Sequence, residues 1–339
     1  MDTSQHSSRG VLIPIVIDDP VVRDEWHMVV PVDQISTEEP FSARLLGEDL
    51  VLWDAGDGIL AWKDLCLHRG TRLSMGEIQE DGTLECPYHG WKYDTSGKCV
   101  EIPAHPDQPP PGDFTVKRYK TTVEQDWLWV TLGDPDHDPP RFEEWLDDQF
   151  RIIPCGPYEF NAAAPRAVEN FLDVAHFPFV HEGTLGTRNK TKIPGFDVEI
   201  TDEGISAENV RVFQPNPDGT GKGNWIDYEY RTQGPFTAYF CKKMEGGKRF
   251  SIFVSVTPVD SDQCKMWMKM AMNYDKDVPA KDLIEFQDEV THEDIPIVES
   301  QRPELLPLDL QAELHRPADR CSIAYRKWLN RQGLSFATQ

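Results

Sequence analysis

Apolar and polar positions along the chain predict two regions of different make-up. Residues 49–53 (DLVLW) and 59–63 (ILAWK) read as short strands flanking the turn-rich Asp54-Ala55-Gly56-Asp57-Gly58. Residues 91–100 (WKYDTSGKCV) read as a hairpin around Ser96-Gly97, and Trp127 to Leu132 alternates bulky aromatic and aliphatic residues as a buried strand does. The region from Val51 to Leu132 is therefore expected to be mainly β. GDPDHDPPR, Gly133 to Arg141, packs prolines and aspartates where neither helix nor strand persists, so a domain boundary is expected in or just after it.

Beyond the boundary, from near Phe150, FDVEI and ISAENVRVF alternate across Asp202-Glu203-Gly204, and RFSIFVSVTPV and KMWMKMAMNY read as longer strands. Three helices are predicted among them. The first spans roughly Arg166 to Phe177, the second starts at Pro279, and the third follows Asp319 as N-cap and ends before Gly333. The expected fold class is α+β, with an all-β domain over residues 1–145 and an α+β domain over residues 146–339. No internal repeat or low-complexity tract interrupts it.

A chain of 339 residues is long enough for two self-sufficient cores. The formal net charge of -24 disfavours nucleic acid, which is bound through Lys and Arg; it suits a solvated surface or docking to a basic partner protein. No run reaches the roughly 20 apolar residues that a membrane span needs. The opening MDTSQHSSRG reads as a mobile cytoplasmic tail. Seven scattered cysteines, an odd number, fit a reducing compartment better than a disulfide framework, and a cytoplasmic location is expected.

Two constellations carry chemistry. The first is Cys66-Leu67-His68, seventeen residues, then Cys86-Pro87-Tyr88-His89. Two thiolates and two imidazoles suit a Rieske [2Fe-2S] centre, in which two His replace two Cys on one iron. Tetrahedral zinc is the alternative, but zinc motifs usually pair Cys with Cys and His with His, whereas each short loop here offers one of each. With Arg69-Gly70 after the first His and Gly90-Trp91 after the second, C-x-H-x17-C-x2-H resembles the Rieske domain of aromatic-ring-hydroxylating oxygenases. The resemblance implies that Cys66 and Cys86 hold one iron while His68 and His89 hold the other.

The second constellation lies in PRAVENFLDVAHFPFVHEG. Asn170, Asp173 and His176 recur at spacing three, on one face of the predicted helix, and Pro178 interrupts before His181. In an unbroken helix residues five apart point about 140° from each other, so His176 and His181 share a metal only if the helix ends or bends between them. Two His and a carboxylate on one face of an iron form the arrangement of non-heme Fe(II) oxygenases. For the carboxylate, PAKDLIEFQDEVTHEDIPIVES carries an apolar stripe of Leu283, Phe286, Val290 and Ile297, and Asp294 falls roughly 35° from its centre, closer than Glu293, Asp288 or Glu289. A buried carboxylate must be paired or metal-bound, which leaves a salt bridge to Arg as the alternative to ligation. EDIPIVESQ resembles the segment that carries the family's third iron ligand. The expected mononuclear Fe(2+) set is thus His176, His181 and Asp294, with Glu293 as fallback.

The resemblance runs from Trp26 to about Gly333, and N-x2-D-x2-H-x4-H with the closing DRCSIAYRKWL is most similar to monooxygenases such as purine-alkaloid N-demethylases, saxitoxin-pathway hydroxylases and aryl-ether demethylases. It implies a helix-grip second domain and an oxygenase component that uses O2 to hydroxylate or demethylate a small organic substrate. It also implies that electrons are supplied by an NAD(P)H-dependent reductase or ferredoxin, in accord with the absence of a G-x-G-x-x-G dinucleotide motif here. It further implies a homotrimer in which Asp173 links His176 to His89 of the neighbouring subunit, so that Asp173 and Asn170 are the catalytic candidates. A Rieske electron carrier with a degenerate second domain, a zinc-stabilised binding protein and a ring-dihydroxylating dioxygenase are the alternatives. Met266, Met268, Met270 and Met272 share one strand face, and plain core packing is the expected use of it. Tyr228, Tyr230, Phe236, Tyr239 and Phe240 are candidate pocket residues, and Asp227 and Glu229 candidate partners for a cationic alkaloid.

Overall fold

The computed structural model describes residues 17–217 and 219–339; the opening ten residues, read above as a tail, lie outside them. The N-terminal half is a six-stranded antiparallel sheet in the order His27–Pro31, Trp127–Thr131, Arg118–Glu124, Ile59–Lys63, Glu48–Asp54 and Phe41–Leu45. A four-stranded sheet of short strands, Glu77–Ile78, Leu84–Glu85, Lys92–Tyr93 and Cys99–Glu101, sits beside it. The predicted hairpins are present, and every residue of Trp127–Thr131 is buried. Gly133 to Arg141 carries neither helix nor strand.

The second half is a seven-stranded antiparallel sheet, in the order Arg151–Phe160, Gln263–Met272, Arg249–Asp260, Thr237–Lys243, Asn224–Thr232, Ile205–Gln214 and Asp197–Ile200. Helices Ala164–Leu172, Ala280–Ser300 and Arg320–Gln332 pack on it. The last follows Asp319 and stops where Gly333 turns left-handed at φ 78°, as glycine readily does. No helix among the described residues is long and apolar enough to cross a membrane.

Strand Gln263–Met272 joins the halves through the two-residue period of its side chains. Met266, Met268, Met270 and Met272 face the interior of the seven-stranded sheet's concavity, whereas Trp267 and Ala271 belong to a core shared with Met28, Trp127, Trp129, Phe142, Tyr239 and Phe253. Phe142 stacks on Phe253 at 5.3 Å. Nearby, the buried Glu144 accepts from Tyr239 Oη (2.6 Å), Ser251 Oγ (2.7 Å) and Arg249 Nη2 (3.2 Å), which ties the connecting segment to the back of the sheet.

Candidate metal centres and active site

The two loops of the first constellation are one turn used twice. Cys66 and Cys86 each accept, at the backbone carbonyl, the amide of the glycine four residues on, Gly70 at 2.9 Å and Gly90 at 3.0 Å. Both glycines have positive φ (71° and 68°), which explains why each histidine is followed by one. Cys66 and Cys86 are buried at 2 % and 1 % exposure, and His68 and His89 lie with ring centroids 4.6 Å apart. His68 stacks on Trp91 at 4.6 Å, and its Nδ1 is buried without a hydrogen bond.

Tyr93 Oη accepts the Leu67 amide (3.2 Å) and lies 3.2 Å from Cys66 Sγ, to which its O–H donates when Cys66 is a thiolate. Burial pushes the Cys86 thiol up, the Tyr88 and His89 amides oppose that, and the neighbouring Cys66 adds to it. Burial lowers the His68 pKa, with His89 and Arg69 acting in the same sense, which favours the neutral form that can ligate. Among the described residues, the grouping of three or more potential ligands whose atoms all lie within 4.8 Å of one another is His176, His181 and Asp294. The four loop residues do not converge in that way, so they suit a two-iron cluster better than one tetrahedral zinc.

At the second site the structure corrects the expected helix from Arg166 to Phe177. Helix Ala164–Leu172 ends at Asp173, which is extended (φ -89°, ψ 137°) and turns its carboxylate onto the amides of Ala175 (2.9 Å) and His176 (3.2 Å). A short aspartate side chain here competes with helical backbone bonding. Pro178 does not interrupt a helix; it sits in the first turn of the short helix Phe177–Val180, where proline lacks no needed amide. His176 and His181 flank that helix as its caps, so one helical turn aims two imidazoles at one space.

Each imidazole is held from behind by a carboxylate. His176 Nδ1 lies 2.9 Å from Asp173 Oδ2, and His181 Nδ1 lies 2.7 Å from Glu293 Oε2. Both Nε2 atoms face Asp294 Oδ1, at 3.4 Å for His176 and 3.1 Å for His181. Neither His181 Nε2 nor Asp294 Oδ1 makes a hydrogen bond although both are buried; they point at a common position between them, which fits a cation. Burial disfavours charge on His181, but Asp294 and then Glu293 outweigh it and raise its pKa. Crowding around Asp173 would raise its carboxyl, and the His176 imidazole together with the Ala175 and His176 amides holds it below its ordinary value.

Glu293, the fallback, meets His181 at Nδ1 and does not join the His176, His181 and Asp294 grouping. The apolar stripe is also corrected. Phe286 and Ile297 are 46 % and 45 % exposed, and the buried face of Ala280–Ser300 is Gln287, Val290, Thr291 and Val298, because this helix closes a cavity rather than a dry core. Asp294 lies on that face, with 15 % of its side chain exposed.

A cavity of about 400 Å³ opens onto His176, His181 and Asp294. Asn170, Phe171, Tyr228, Tyr230, Phe240 and the four methionines line it, so the methionine face is cavity wall rather than plain core. Phe236 and Tyr239 do not line it, because they lie on other faces, Phe236 against His27 and Tyr239 on Glu144. Asp227 and Glu229 are directed to the outside, paired with Arg211 (3.5 Å) and Lys243. Gln214, Lys242 and Thr291 also reach the cavity and had no signal in the sequence, since their alternation matches that of any half-buried element.

A two-loop Cys–His site ahead of a sheet whose cavity ends on two histidines and an aspartate defines an oxygenase that combines a [2Fe-2S] cluster with non-heme iron. Residues 25–120 match the model of the Rieske [2Fe-2S] domain, and residues 160–333 match that of the vanillate O-demethylase oxygenase C-terminal domain. The chain belongs to the Rieske non-heme iron oxygenases. It is 34 % identical over 322 residues to methylxanthine N1-demethylase NdmA of Pseudomonas putida, covering 91 % of this chain and 88 % of the relative. It is 31 % identical over 339 residues to methylxanthine N3-demethylase NdmB of the same species, covering 96 % and 93 %. The structure of NdmA of Pseudomonas putida CBB5 with caffeine superposes with a TM-score of 0.79 at 31 % identity, covering 91 % of this chain and 90 % of that one.

Proposed function

We propose that the chain is the oxygenase component of an oxidative N-demethylase for a small, flat, N-methylated heterocycle. In this reading His176, His181 and Asp294 hold iron, and Cys66, His68, Cys86 and His89 hold the cluster. The observation that carries it is the pair of buried, unpartnered atoms His181 Nε2 and Asp294 Oδ1 at the wall of the 400 Å³ cavity. Similarity to methylxanthine N-demethylases over more than nine-tenths of the chain favours N-methyl substrates over ring dihydroxylation.

Bound at His176, His181 and Asp294 and fed two electrons through the cluster, iron would supply the oxygen chemistry by which one atom of O2 enters a methyl C–H bond while the other leaves, with two protons, as water. The resulting hydroxymethyl amine breaks its C–N bond, leaving N–H on the ring and releasing formaldehyde. Asp173 keeps a proton on His176 Nδ1 and Glu293 keeps one on His181 Nδ1, so both rings present Nε2 to the iron position. Asn170 flanks them at the cavity wall, while Phe171, Phe240 and the methionine face exclude water.

In this reading the acting unit is a homotrimer in which His89 of one copy meets Asp173 of the next. Supporting it, His89 is exposed beside Tyr88 (63 % exposed) and Leu67 (41 %), and Asp173 keeps 28 % of its side chain accessible. An NAD(P)H-dependent reductase or ferredoxin supplies electrons, and the cytoplasm is the proposed setting. The test is anaerobic purification followed by metal analysis and EPR of the reduced protein, then turnover with a reductase and NADH. About three irons per chain, a Rieske signal and formaldehyde released from caffeine or theobromine are expected. Zinc without iron, or a loaded enzyme that forms ring diols and no formaldehyde, overturns the reading.

A further inference from the structure

Resting on that reading, we propose that Tyr228 is the donor that orients the substrate, and that the substrate therefore carries a ring carbonyl on the side away from the methyl group that reacts. The argument starts from three neighbouring side chains on adjacent strands. Gln214 ends strand Ile205–Gln214, Tyr228 lies in Asn224–Thr232, and Lys242 is directly opposite Tyr228 in the ladder with Thr237–Lys243. All three line the cavity, and Gln214 and Tyr228 are buried at 1 % and 2 % exposure.

The direction of each hydrogen bond follows from the ammonium. Lys242 can only donate, and its Nζ faces Gln214 Oε1 at 3.4 Å, as well as the Pro217 carbonyl at 2.8 Å. The amide must then turn its NH2 group to Tyr228, which accepts it at 2.8 Å. Reversing the amide would set NH2 against the ammonium, donor against donor. The Tyr228 oxygen is thus used as acceptor, and its own O–H meets no acceptor among the described residues. Burial keeps the phenol neutral and its hydrogen in place. A buried donor of this kind calls for an acceptor from the ligand.

Position and charge narrow the ligand further. The Phe177 ring lies 4.9 Å from His176, 6.0 Å from His181 and 6.2 Å from Tyr228, so Tyr228 stands one aromatic ring away from the iron position. A flat molecule with its methyl group toward the histidines can reach Tyr228 with a carbonyl. The lining sets Asp275 and Asp282 against Lys242, with no surplus of positive charge to draw in a carboxylate, so the acceptor belongs to a neutral molecule.

The test compares ligand binding by calorimetry to the holoenzyme with its cluster oxidised, using caffeine, which has ring carbonyls, and 1-methylindole, which has no acceptor. Tyr228→Phe keeps the ring packing on Tyr230 and Phe240 and should weaken caffeine roughly 10- to 100-fold while leaving 1-methylindole unchanged. Gln214→Glu, an acceptor in place of the NH2 donor, should capture the Tyr228 hydrogen and reproduce that loss with the tyrosine still present. Formaldehyde formed per O2 consumed should fall with caffeine in both variants. Unchanged caffeine binding in both variants, equal loss for both ligands, or no carbonyl-bearing ligand bound by the unaltered enzyme overturns the proposal. If the unaltered enzyme forms no formaldehyde from any N-methyl compound, yet binds methoxylated aryl carbonyls in a Tyr228-dependent way, the N-demethylase reading fails and the orientation by Tyr228 stands.

Discussion

The candidate cluster loops take their four proposed ligand residues from two short stretches, 66–68 and 86–89, and leave His89 exposed; the proposed mononuclear site draws on two helices separated by most of the seven-stranded sheet and buries His181 to 1 %. The histidines differ in their support as well. His176 and His181 are each held at Nδ1 by a carboxylate, whereas His68 is positioned by stacking on Trp91 and His89 by packing on Tyr88. An electron must enter from another molecule, which requires an edge open to contact. Oxygen chemistry needs fixed ligands and little water, which requires depth and carboxylate backing.

Removing a ligand should separate the two regions most sharply. Asp294→Ala is expected to lower iron from about three to about two per chain and to abolish turnover while the Rieske EPR signal persists. Asp173→Ala should retain both metal sites yet reduce turnover by about 100-fold or more, because the orientation of His176 and the route from the cluster are lost together. Iron analysis beside NADH-driven turnover reads both, and full activity in Asp173→Ala would sink the route. Glu293→Gln should weaken mononuclear iron by about 10-fold, measured by competition with a chelator, since the amide still reaches His181 Nδ1 without the charge.

On the cluster side the expected effects are smaller. Tyr93→Phe removes the donor to Cys66 Sγ, and a hydrogen bond of about 1 kcal/mol corresponds to a potential about 40 mV lower, read by an EPR redox titration. A separate effect, on folding stability rather than on either metal site, is expected at Lys269, where burial pulls the pKa down to about 7 against the pull of Asp126, while Nζ lies 4.2 Å from the Trp127 ring centroid and 4.1 Å from that of Trp145. The unfolded chain holds this proton up to about pH 10.5. It therefore binds more protons than the folded form between about pH 7 and 10.5, and stability rises with pH across that window. Lys269→Met should flatten the rise, which is of the order of 3 kcal/mol because the two indoles offset part of the cost of burial. Urea unfolding at pH 7 and pH 10 measures it.

How much of each region can be read in advance follows from how far apart its parts lie in sequence. The candidate cluster loops stand out in the sequence as a motif, since each carries its Cys, His and turn glycine within five consecutive residues, 66–70 and 86–90. At the proposed iron site His176, His181 and Asp294 stand out as residue types at usable spacings, and the structure brings their ligand atoms within 4.8 Å of one another. The helix end at Leu172 was not, because it depends on the Asp173 side chain turning onto amides two and three residues ahead. The role of Glu293 was hidden for a different reason. Adjacent residues on a helix point about 100° apart, so only the placement of two remote helices decides which carboxylate meets His181 Nδ1 and which faces Nε2. The strands and their alternation were plain, yet whether a methionine row faces a dry core or a cavity depends on what the opposite wall leaves unfilled.

The two-sided strand Gln263–Met272 has a consequence for how such an enzyme can diverge. Its even-numbered positions shape the space for the substrate, and its odd-numbered positions grip the cluster domain. Exchanges among Met266, Met268, Met270 and Met272 can therefore redraw the cavity while Trp267, Lys269 and Ala271 hold the electron-delivering half in register. Substrate preference and redox delivery are thus inherited on alternate residues of one strand, and either can drift without dragging the other along.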